Sequence, residues 1–257
     1  MSRVKLPLHA GLASAAPVPQ YHRRIPTLIV ALAALATLAA FGSATSAKAA
    51  ATDVGLGTAN SFALLAGSGA TNTGPSVING DVGTSPTPAL VGFTGAPLAT
   101  VNGSIHAADA AAGSAKAALT TAYNNAAGQG PTTAIPTELG GQSLTSGVYD
   151  SASGTFGNSG PLTLDAQGDP EAVFIFKTNS TLITAAGSSM RLINGAQACH
   201  VFWKVGSSTT LGTSSSFAGN ILAAESISLG NGVTVDGRLL AQTGAVTLIN
   251  DTVGPST

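Results

Sequence analysis

A three-segment repeat near the carboxyl end constrains the fold of this chain most strongly. From Thr209 the sequence reads TTLGTS, SSFAGN, ILAAES, then ISLGNG, VTVDGR, LLAQTG, and finally AVTLIN. Six residues accommodate one short strand and a corner, and small residues between the segments permit sharp bends. Three strands per turn, stacked turn on turn with backbone hydrogen bonds between the turns, make a parallel β-solenoid. We therefore predict a mostly β, right-handed, three-sided solenoid.

A second pattern has the form hydroxyl–Leu–x–(Thr or Asn) and begins at Thr181, Thr210, Ser228 and Thr247. Alternate side chains of a strand point to opposite sides. If the four leucines face the core, the four hydroxyl residues point outward and stack in one column at the inter-strand spacing. The predicted outward face, with its second column and the following corner, consists of Thr181, Thr184, Thr210, Gly212, Thr213, Ser228, Gly230, Asn231, Thr247, Ile249 and Asn250.

One Ala-rich segment, residues 106–127, departs from the repeat and predicts an α-helix. Asp109 suits its amino end, Leu119 and Tyr123 share a face, and Gly128 can end it. A helix of this length extends about 33 Å, which matches several stacked turns. We expect it to lie along the strands that are apolar at consecutive positions, because such strands are buried on both sides.

Residues 1–49 are predicted to be an export signal that is cleaved after Ala49, leaving a domain of residues 50–257. A basic segment precedes an Ala/Leu-rich apolar stretch, and small residues follow at the cleavage site. The Arg23-Arg24 pair leaves twin-arginine export open beside general secretion. A retained membrane anchor is the other alternative, but the apolar stretch is short for a membrane span.

Removal of the leader leaves five basic and eleven acidic residues, a formal net charge of −6. Only 8% of the whole chain is charged, about a third of the usual ~25%. So few bases leave no patch for nucleic acid, and the single cysteine excludes an internal disulfide framework. The surface must therefore consist mostly of small neutral residues.

Several short runs in a fixed order carry a family resemblance. They are FALLAGS at 62–68, TNTGP at 71–75, INGDVG at 78–83, AVFIF at 172–176, LINGAQAC at 192–199, VFW at 201–203, FAGNILA at 217–223 and GAVTL at 244–248. With the Ala-rich segment between them, these runs make residues 53–253 resemble the secreted ice-binding (antifreeze) proteins of microbes. The resemblance implies a discontinuous β-solenoid, in which early residues form a coil out of sequence order and a long helix packs alongside.

The same resemblance implies a secreted protein that binds the ice crystal surface through a flat solenoid face. We expect the protein to be a monomer. Some family members carry Thr-(Ala/Gly)-x-(Thr/Asn) repeats there, whereas this chain has Leu in the second place. A Thr side chain offers water a hydroxyl and a methyl group, and its β-branching restricts its rotamers before binding. We hypothesise that the uncharged face orders ice-like water and blocks crystal growth.

The neighbouring solenoid face is the rival ice-binding surface. It is predicted to present Ser189, Ser216 and Thr234, but also Arg191 and Asp236, whose charges hold liquid-like hydration. The alternative function is a non-enzymatic cell-surface or matrix module that binds a carbohydrate or a protein. Ser and Thr columns also occur on solenoid strands because of β-propensity alone.

Other chemistry has weak support in the sequence. His106 and His200 lie in different segments, so we expect no metal site, and the acidic loop 165–171 is expected to be solvated rather than to bind calcium. Cys199 is interpreted as a small buried hydrophobe, and no nucleophile or phosphate-binding motif is present. We predict no enzymatic activity and no cofactor.

Overall fold

The computed structural model describes residues 50–94 and 98–255, and the predicted leader lies outside the described residues. Before the helix, the strands are β1 (Phe62–Ala66), β2 (Gly69–Thr73), β3 (Val77–Ile78), β4 (Asp81–Thr84), β5 (Leu90–Val91), β6 (Thr100–Val101) and β7 (Ile105–Ala107). Helix α1 spans Ala110–Gly128. After it come β8 (Thr133–Ile135), β9 (Ser143–Thr145), β10 (Gly147–Ser151), β11 (Phe156–Asn158), β12 (Pro161–Asp165), β13 (Phe174–Thr178), β14 (Leu182–Thr184), β15 (Ser189–Ile193), β16 (Val201–Val205), β17 (Thr209–Leu211), β18 (Ser216–Ala223), β19 (Ile227–Asn231), β20 (Thr234–Ala241), β21 (Ala245–Ile249) and β22 (Thr252–Val253). Short 3-10 turns cover Gly57–Ser61 and Ala198–His200.

The strands form the parallel solenoid predicted from the repeat, with three strand segments per coil. Seven strands make a separate sheet in the order β11-β14-β17-β19-β21-β2-β5, which we call the ladder face. The other strands form one 15-stranded sheet. That sheet folds around a corner where β18 and β20 bend at Gly219 and Gly237, both with positive φ. The hand of the coil stays a prediction.

The bend divides the larger sheet into two faces. The helix face contains β8, β10, β13, β16, the second halves of β18 and β20, and then β1, β4 and β7. The third face contains β9, β12, β15, the first halves of β18 and β20, and then β22, β3 and β6. Each complete coil therefore contributes one strand segment to each face, whereas the coil of β8 and β9 meets the ladder face only through the Glu138–Gly157 bridge.

The amino-terminal coil stacks on the last coil of the chain, as the resemblance implied. Strand β1 pairs with β20, β2 pairs with β21, and β3 pairs with β22. The chain thus builds one end of the stack first, crosses along α1, and returns coil by coil until its last coil meets its first.

The interior of the solenoid is filled by aliphatic side chains and an aromatic stack. The Phe176 and Trp203 rings lie 4.0 Å apart and nearly parallel, and Phe156 meets both edge-on. The Trp203 indole N–H donates to the Ala218 carbonyl at 3.1 Å, so its one polar group is satisfied. Trp203 is therefore a core residue, and only 1% of it is exposed.

Helix α1 covers the helix face, as predicted, but it begins four residues later than expected. Residues 105–107 form β7, and Asp109 is the N-cap, whose carboxylate accepts the Ala112 N–H at 2.9 Å. Ala115, Leu119, Ala122 and Ala126 are fully buried against the apolar strand residues. At 19 residues the helix is about 28 Å long, which crosses roughly six strand spacings. No helix in the described ranges is long and apolar enough to cross a membrane.

Candidate functional site: the ladder face

The ladder face has a continuous central column of outward side chains because its strands pair in register. In stacking order the column is Gly157, Ile183, Thr210, Ser228, Thr247, Thr71 and Val91. The residues before and after this column point inward, and Leu211, Leu229 and Leu248 are buried as predicted. Consecutive rungs therefore lie at the inter-strand spacing of ~4.7–4.9 Å. Thr210, Ser228 and Thr247 form neighbouring rungs, which the motif alignment anticipated.

The predicted placement of Thr181 in this column is wrong. Leu182 pairs with Thr209 and Ile183 with Thr210, so Ile183 occupies the rung next to Thr210. The motif alignment equated Thr181 with Thr210, whereas the residue that pairs with Thr210 lies two positions later, at Ile183. Thr181 precedes the paired strand and lies at the border of the face, half-buried.

Thr184 is also displaced from the predicted surface. It is buried, and its hydroxyl oxygen accepts the Gly212 N–H at 2.9 Å. The hydroxyl thus satisfies a backbone donor in the next coil and is withdrawn from solvent.

Gly212 and Gly230, predicted as members of a second outward column, stand where neighbouring coils approach closely. A Cβ at Gly212 would lie 2.4 Å from the Ala185 carbonyl carbon, and one at Gly230 would lie 2.7 Å from the Thr213 backbone nitrogen. Only glycine fits these positions. A bulge in β19 then places Asn231, rather than Gly230, opposite Ile249.

The corner after the ladder strands is exposed and uncharged at its surface. Thr213, Asn231 and Asn250 are all exposed, and the Asn250 side-chain amide donates to the Asn231 amide oxygen at 3.3 Å. Asn250 adopts φ +56°, a left-handed conformation that asparagine tolerates. Beneath this corner, burial raises the pKa of Asp251, although its carboxylate accepts the Val233 and Ile249 N–H groups.

Two rungs that the motif search missed come from the amino-terminal coil. Thr71 pairs with Thr247, and Thr73 pairs with Ile249, both as exposed residues of β2. Thr71 extends the hydroxyl run to four successive rungs, beginning at Thr210. The Thr-Asn-Thr run at 71–73 can be read from the sequence, but its position on the face depends on the pairing of the amino-terminal coil with the last coil of the chain.

Apolar side chains flank the hydroxyl rungs on the same surface. Val91 is 60% exposed, Ile183 is 53% exposed and Ile249 is 38% exposed. Single exposed aliphatic residues are common on protein surfaces, but here three of them lie on one uncharged face. The face therefore combines hydroxyl groups with exposed methyl groups in one regular array.

None of the seven ladder strands contains a charged residue. Three lysines hold α1 on the helix face, namely Lys116, Lys177 and Lys204. The Lys116 ammonium donates to the backbone carbonyls of residues 241 and 242. The Lys177 ammonium donates to the backbone carbonyl of residue 127 at 3.1 Å. The Lys204 ammonium lies 5.1 Å from the centre of the Tyr123 ring. Burial lowers the pKa of Lys116 to about 8.

The third face has its own hydroxyl column, but charges interrupt it. Ser216 pairs with Ser189 on one side and with Thr234 on the other. Arg191 lies on β15 and Asp236 on β20, as the sequence predicted for this rival surface. The ladder face is therefore the longer uncharged surface of the two.

The described residues contain no group of three or more His, Cys, Asp or Glu side chains that could hold a metal ion.

A cavity of about 670 Å³ lies away from the ladder face, beside Phe62, Asp81 and His106. The backbone hydrogen bond from Ala112 and the contact with His106, whose Nδ1 lies 2.7 Å from an Asp109 carboxylate oxygen, lower the pKa of Asp109. Cys199 is exposed, so its interpretation as a buried hydrophobe is wrong.

The fold and the ladder face define a class of protein: a discontinuous parallel solenoid that displays a regular uncharged surface. The chain belongs to the ice-binding-like family, whose sequence profile matches residues 64–254. It is 48% identical over 219 residues to the ice-binding protein of Nostoc sp. (strain HG1), which covers 84% of this chain and 79% of that relative. The ice-binding protein of Colwellia sp. is 37% identical over 79% of this chain and 84% of its own length.

Solved structures show the same architecture. The crystal structure of an ice-binding protein from an Antarctic biological consortium matches with a TM-score of 0.77 and 43% identity, over 80% of this chain and 92% of that one. The ice-binding protein of the Antarctic ascomycete Antarctomyces psychrotrophicus matches with a TM-score of 0.75 and 40% identity, over 80% of this chain and all of that chain. The predicted family and fold class are confirmed.

Proposed function

We propose that this protein adsorbs to ice through the ladder face and inhibits crystal growth or recrystallisation. The observation that carries the proposal is the in-register run of Thr210, Ser228, Thr247 and Thr71, flanked by exposed aliphatic residues and free of charge on its strands. The names of the relatives support the same activity. The function requires neither a cofactor nor a catalytic site.

The physical basis is a rigid array of weak contacts. Each hydroxyl can donate one hydrogen bond to water and accept up to two from it, while neighbouring methyl groups restrict the orientation of that water. Backbone bonds between coils hold the rungs in place before binding, so little conformational entropy is lost on adsorption and many small contacts add. Ile183 and Val91 extend the methyl part of the array beyond the hydroxyl rungs.

We further propose that the protein acts outside the cell as a monomer, after removal of residues 1–49. A surface with few charges, on which three lysines are engaged in contacts of α1, suits a protein that contacts ice rather than a charged polymer. Of the predicted site residues, the proposed contact surface retains Thr210, Ser228, Thr247 and Ile249 with the corner residues Thr213, Asn231 and Asn250. It adds Thr71 and Thr73.

The test is thermal hysteresis and crystal shape in cooled solutions of the purified protein. Thr71→Tyr and Thr210→Tyr place a bulky ring on the ladder face and should each lower hysteresis by at least about half, because the array no longer fits one plane. Thr234→Tyr is the matched control on the third face and should leave hysteresis unchanged. Loss with Thr234→Tyr alone would assign the activity to the third face, and round, freely growing discs with the unaltered protein would refute ice binding.

A further inference from the structure

Exposed carboxylates lie beside the ladder face at two places: Glu138 at one end, where it bridges to Gly157, and Glu225 at the side where the chain enters the ladder strands. Glu225 lies on the corner where the chain passes from β18 to β19, and it is exposed. The other described segments that enter ladder strands at this corner, including residues 67–68, 206–208 and 242–244, contain no charged residue. The carboxylate is therefore a local exception on an otherwise neutral border.

Glu225 also engages the hydroxyl groups of the preceding coil. Its carboxylate oxygen accepts the Ser207 hydroxyl at 2.9 Å and the Ser208 hydroxyl at 3.3 Å. A hydrogen atom that points to a carboxylate is unavailable to surface water. Ser208 is the residue two positions before the Thr210 rung, so it lies at the edge of the outward array.

Without that carboxylate, the border would continue the array. The residue immediately before a ladder strand carries a hydroxyl in three neighbouring coils. These residues are Thr181 before β14, Ser208 before β17 and Ser226 before β19. The Ser226 hydroxyl oxygen accepts the Ala245 N–H at 3.2 Å, and the Ser208 oxygen accepts the Ser226 N–H at 3.3 Å, so these side chains are already ordered by the backbone. They have the composition and order of a further hydroxyl column.

We infer that Glu225 sets the lateral limit of the ice-contacting surface, an inference that rests on the proposed function. The carboxylate holds a strongly bound hydration shell whose geometry is set by the charge and not by the ladder. It also directs the Ser207 and Ser208 hydroxyls sideways. Replacing it with glutamine removes the charge, and replacing it with threonine also frees those donors; either change extends the contact surface towards the three rungs Thr181, Ser208 and Ser226.

The experiment measures thermal hysteresis of Glu225→Thr and Glu225→Gln at equal protein concentration. Threonine occupies the corresponding position of the next coil, at Thr243, and glutamine keeps an acceptor for Ser207 while it removes the charge. Each variant should raise hysteresis about twofold, because a rigid array gains contacts without new ordering cost. Glu171→Thr is the control, since it removes the same charge from an exposed loop outside the ladder face.

The outcomes separate this inference from the proposed function. Hysteresis that is unchanged or reduced in both folded Glu225 variants, while the unaltered protein is active, overturns the role of Glu225 and leaves ice binding intact. An equal rise in Glu171→Thr attributes the gain to net charge and also overturns it. Absence of hysteresis in the unaltered protein and in every variant overturns both.

Discussion

Arg238 is predicted to hold the junction between the first and last coils of the domain. It is only 6% exposed, and its Nε donates to the Asn60 carbonyl at 2.9 Å while Nη1 donates to the Asn220 side-chain oxygen at 3.0 Å. Asn220 in turn donates to the carbonyls of Cys199 and Val201. The guanidinium therefore connects the segment before β1 to two later coils.

The perturbation is Arg238→Met, which keeps an unbranched side chain of similar length and removes the donors. Hydrogen bonds to a charged group contribute roughly 1.5–3 kcal/mol each, so two of them amount to about 3–6 kcal/mol. Part of this is offset because burial also penalises the cation, as the lowered pKa of Arg238 indicates. We expect a net destabilisation of about 2–4 kcal/mol.

The assay is urea unfolding followed by circular dichroism, combined with amide hydrogen exchange. The midpoint should fall without a change in slope, and exchange should accelerate most in β1 and β2. Arg191→Met, on the exposed third face, is the control and should change stability by less than about 0.5 kcal/mol. A loss below about 1 kcal/mol in Arg238→Met, or exchange that rises equally in all coils, would refute the assignment.

Two further predictions concern a glycine and a lysine. Gly237→Ala should destabilise the protein by about 2–4 kcal/mol in thermal unfolding, because a Cβ there would lie 2.0 Å from the Gly219 carbonyl oxygen at φ +150°. Gly113→Ala, in open space on α1, should instead stabilise it by about 0.5–1 kcal/mol, and two changes of the same sign would contradict this account. Because burial lowers the pKa of Lys116 to about 8, the unfolded chain binds more protons between pH 8 and about 10.5, so this group makes stability rise with pH over that window. Lys116→Met should remove that part of the rise in chemical unfolding, and an identical pH profile would count against it.

The periodic part of the fold could be predicted from the sequence because it is dictated by local rules. Six-residue segments with small corners predicted the coils, and consecutive apolar residues such as 173–176 predicted the strands that α1 covers. The helix itself followed from its alanines, with an error of four residues at its start. That error arises because His106 pairs with Gly83 on the adjacent strand, a contact between segments that local propensity does not reveal.

The candidate site was harder to predict because it depends on register. The motif at Thr181 aligned with Thr210 by composition, but the buried pairing of Leu182 with Thr209 sets the actual register. A two-residue error along a strand moves a side chain to the next outward position, so Thr181 was assigned the place that Ile183 occupies. Thr71 could not be placed at all by periodicity, because its neighbour Thr247 lies at the opposite end of the domain sequence.

The meeting of the two chain ends within the stack has a consequence for biosynthesis. In an ordinary solenoid each repeat contacts only its sequence neighbours, and order can spread from any repeat. Here Leu64 must pair with Leu239, although nearly the whole domain sequence separates them. Bringing these two segments together costs chain entropy before their packing contributes any stability. A nascent chain therefore cannot complete the ladder face until β21 has left the ribosome, and synthesis that stops before β21 leaves β19 and β2 without the strand that joins them.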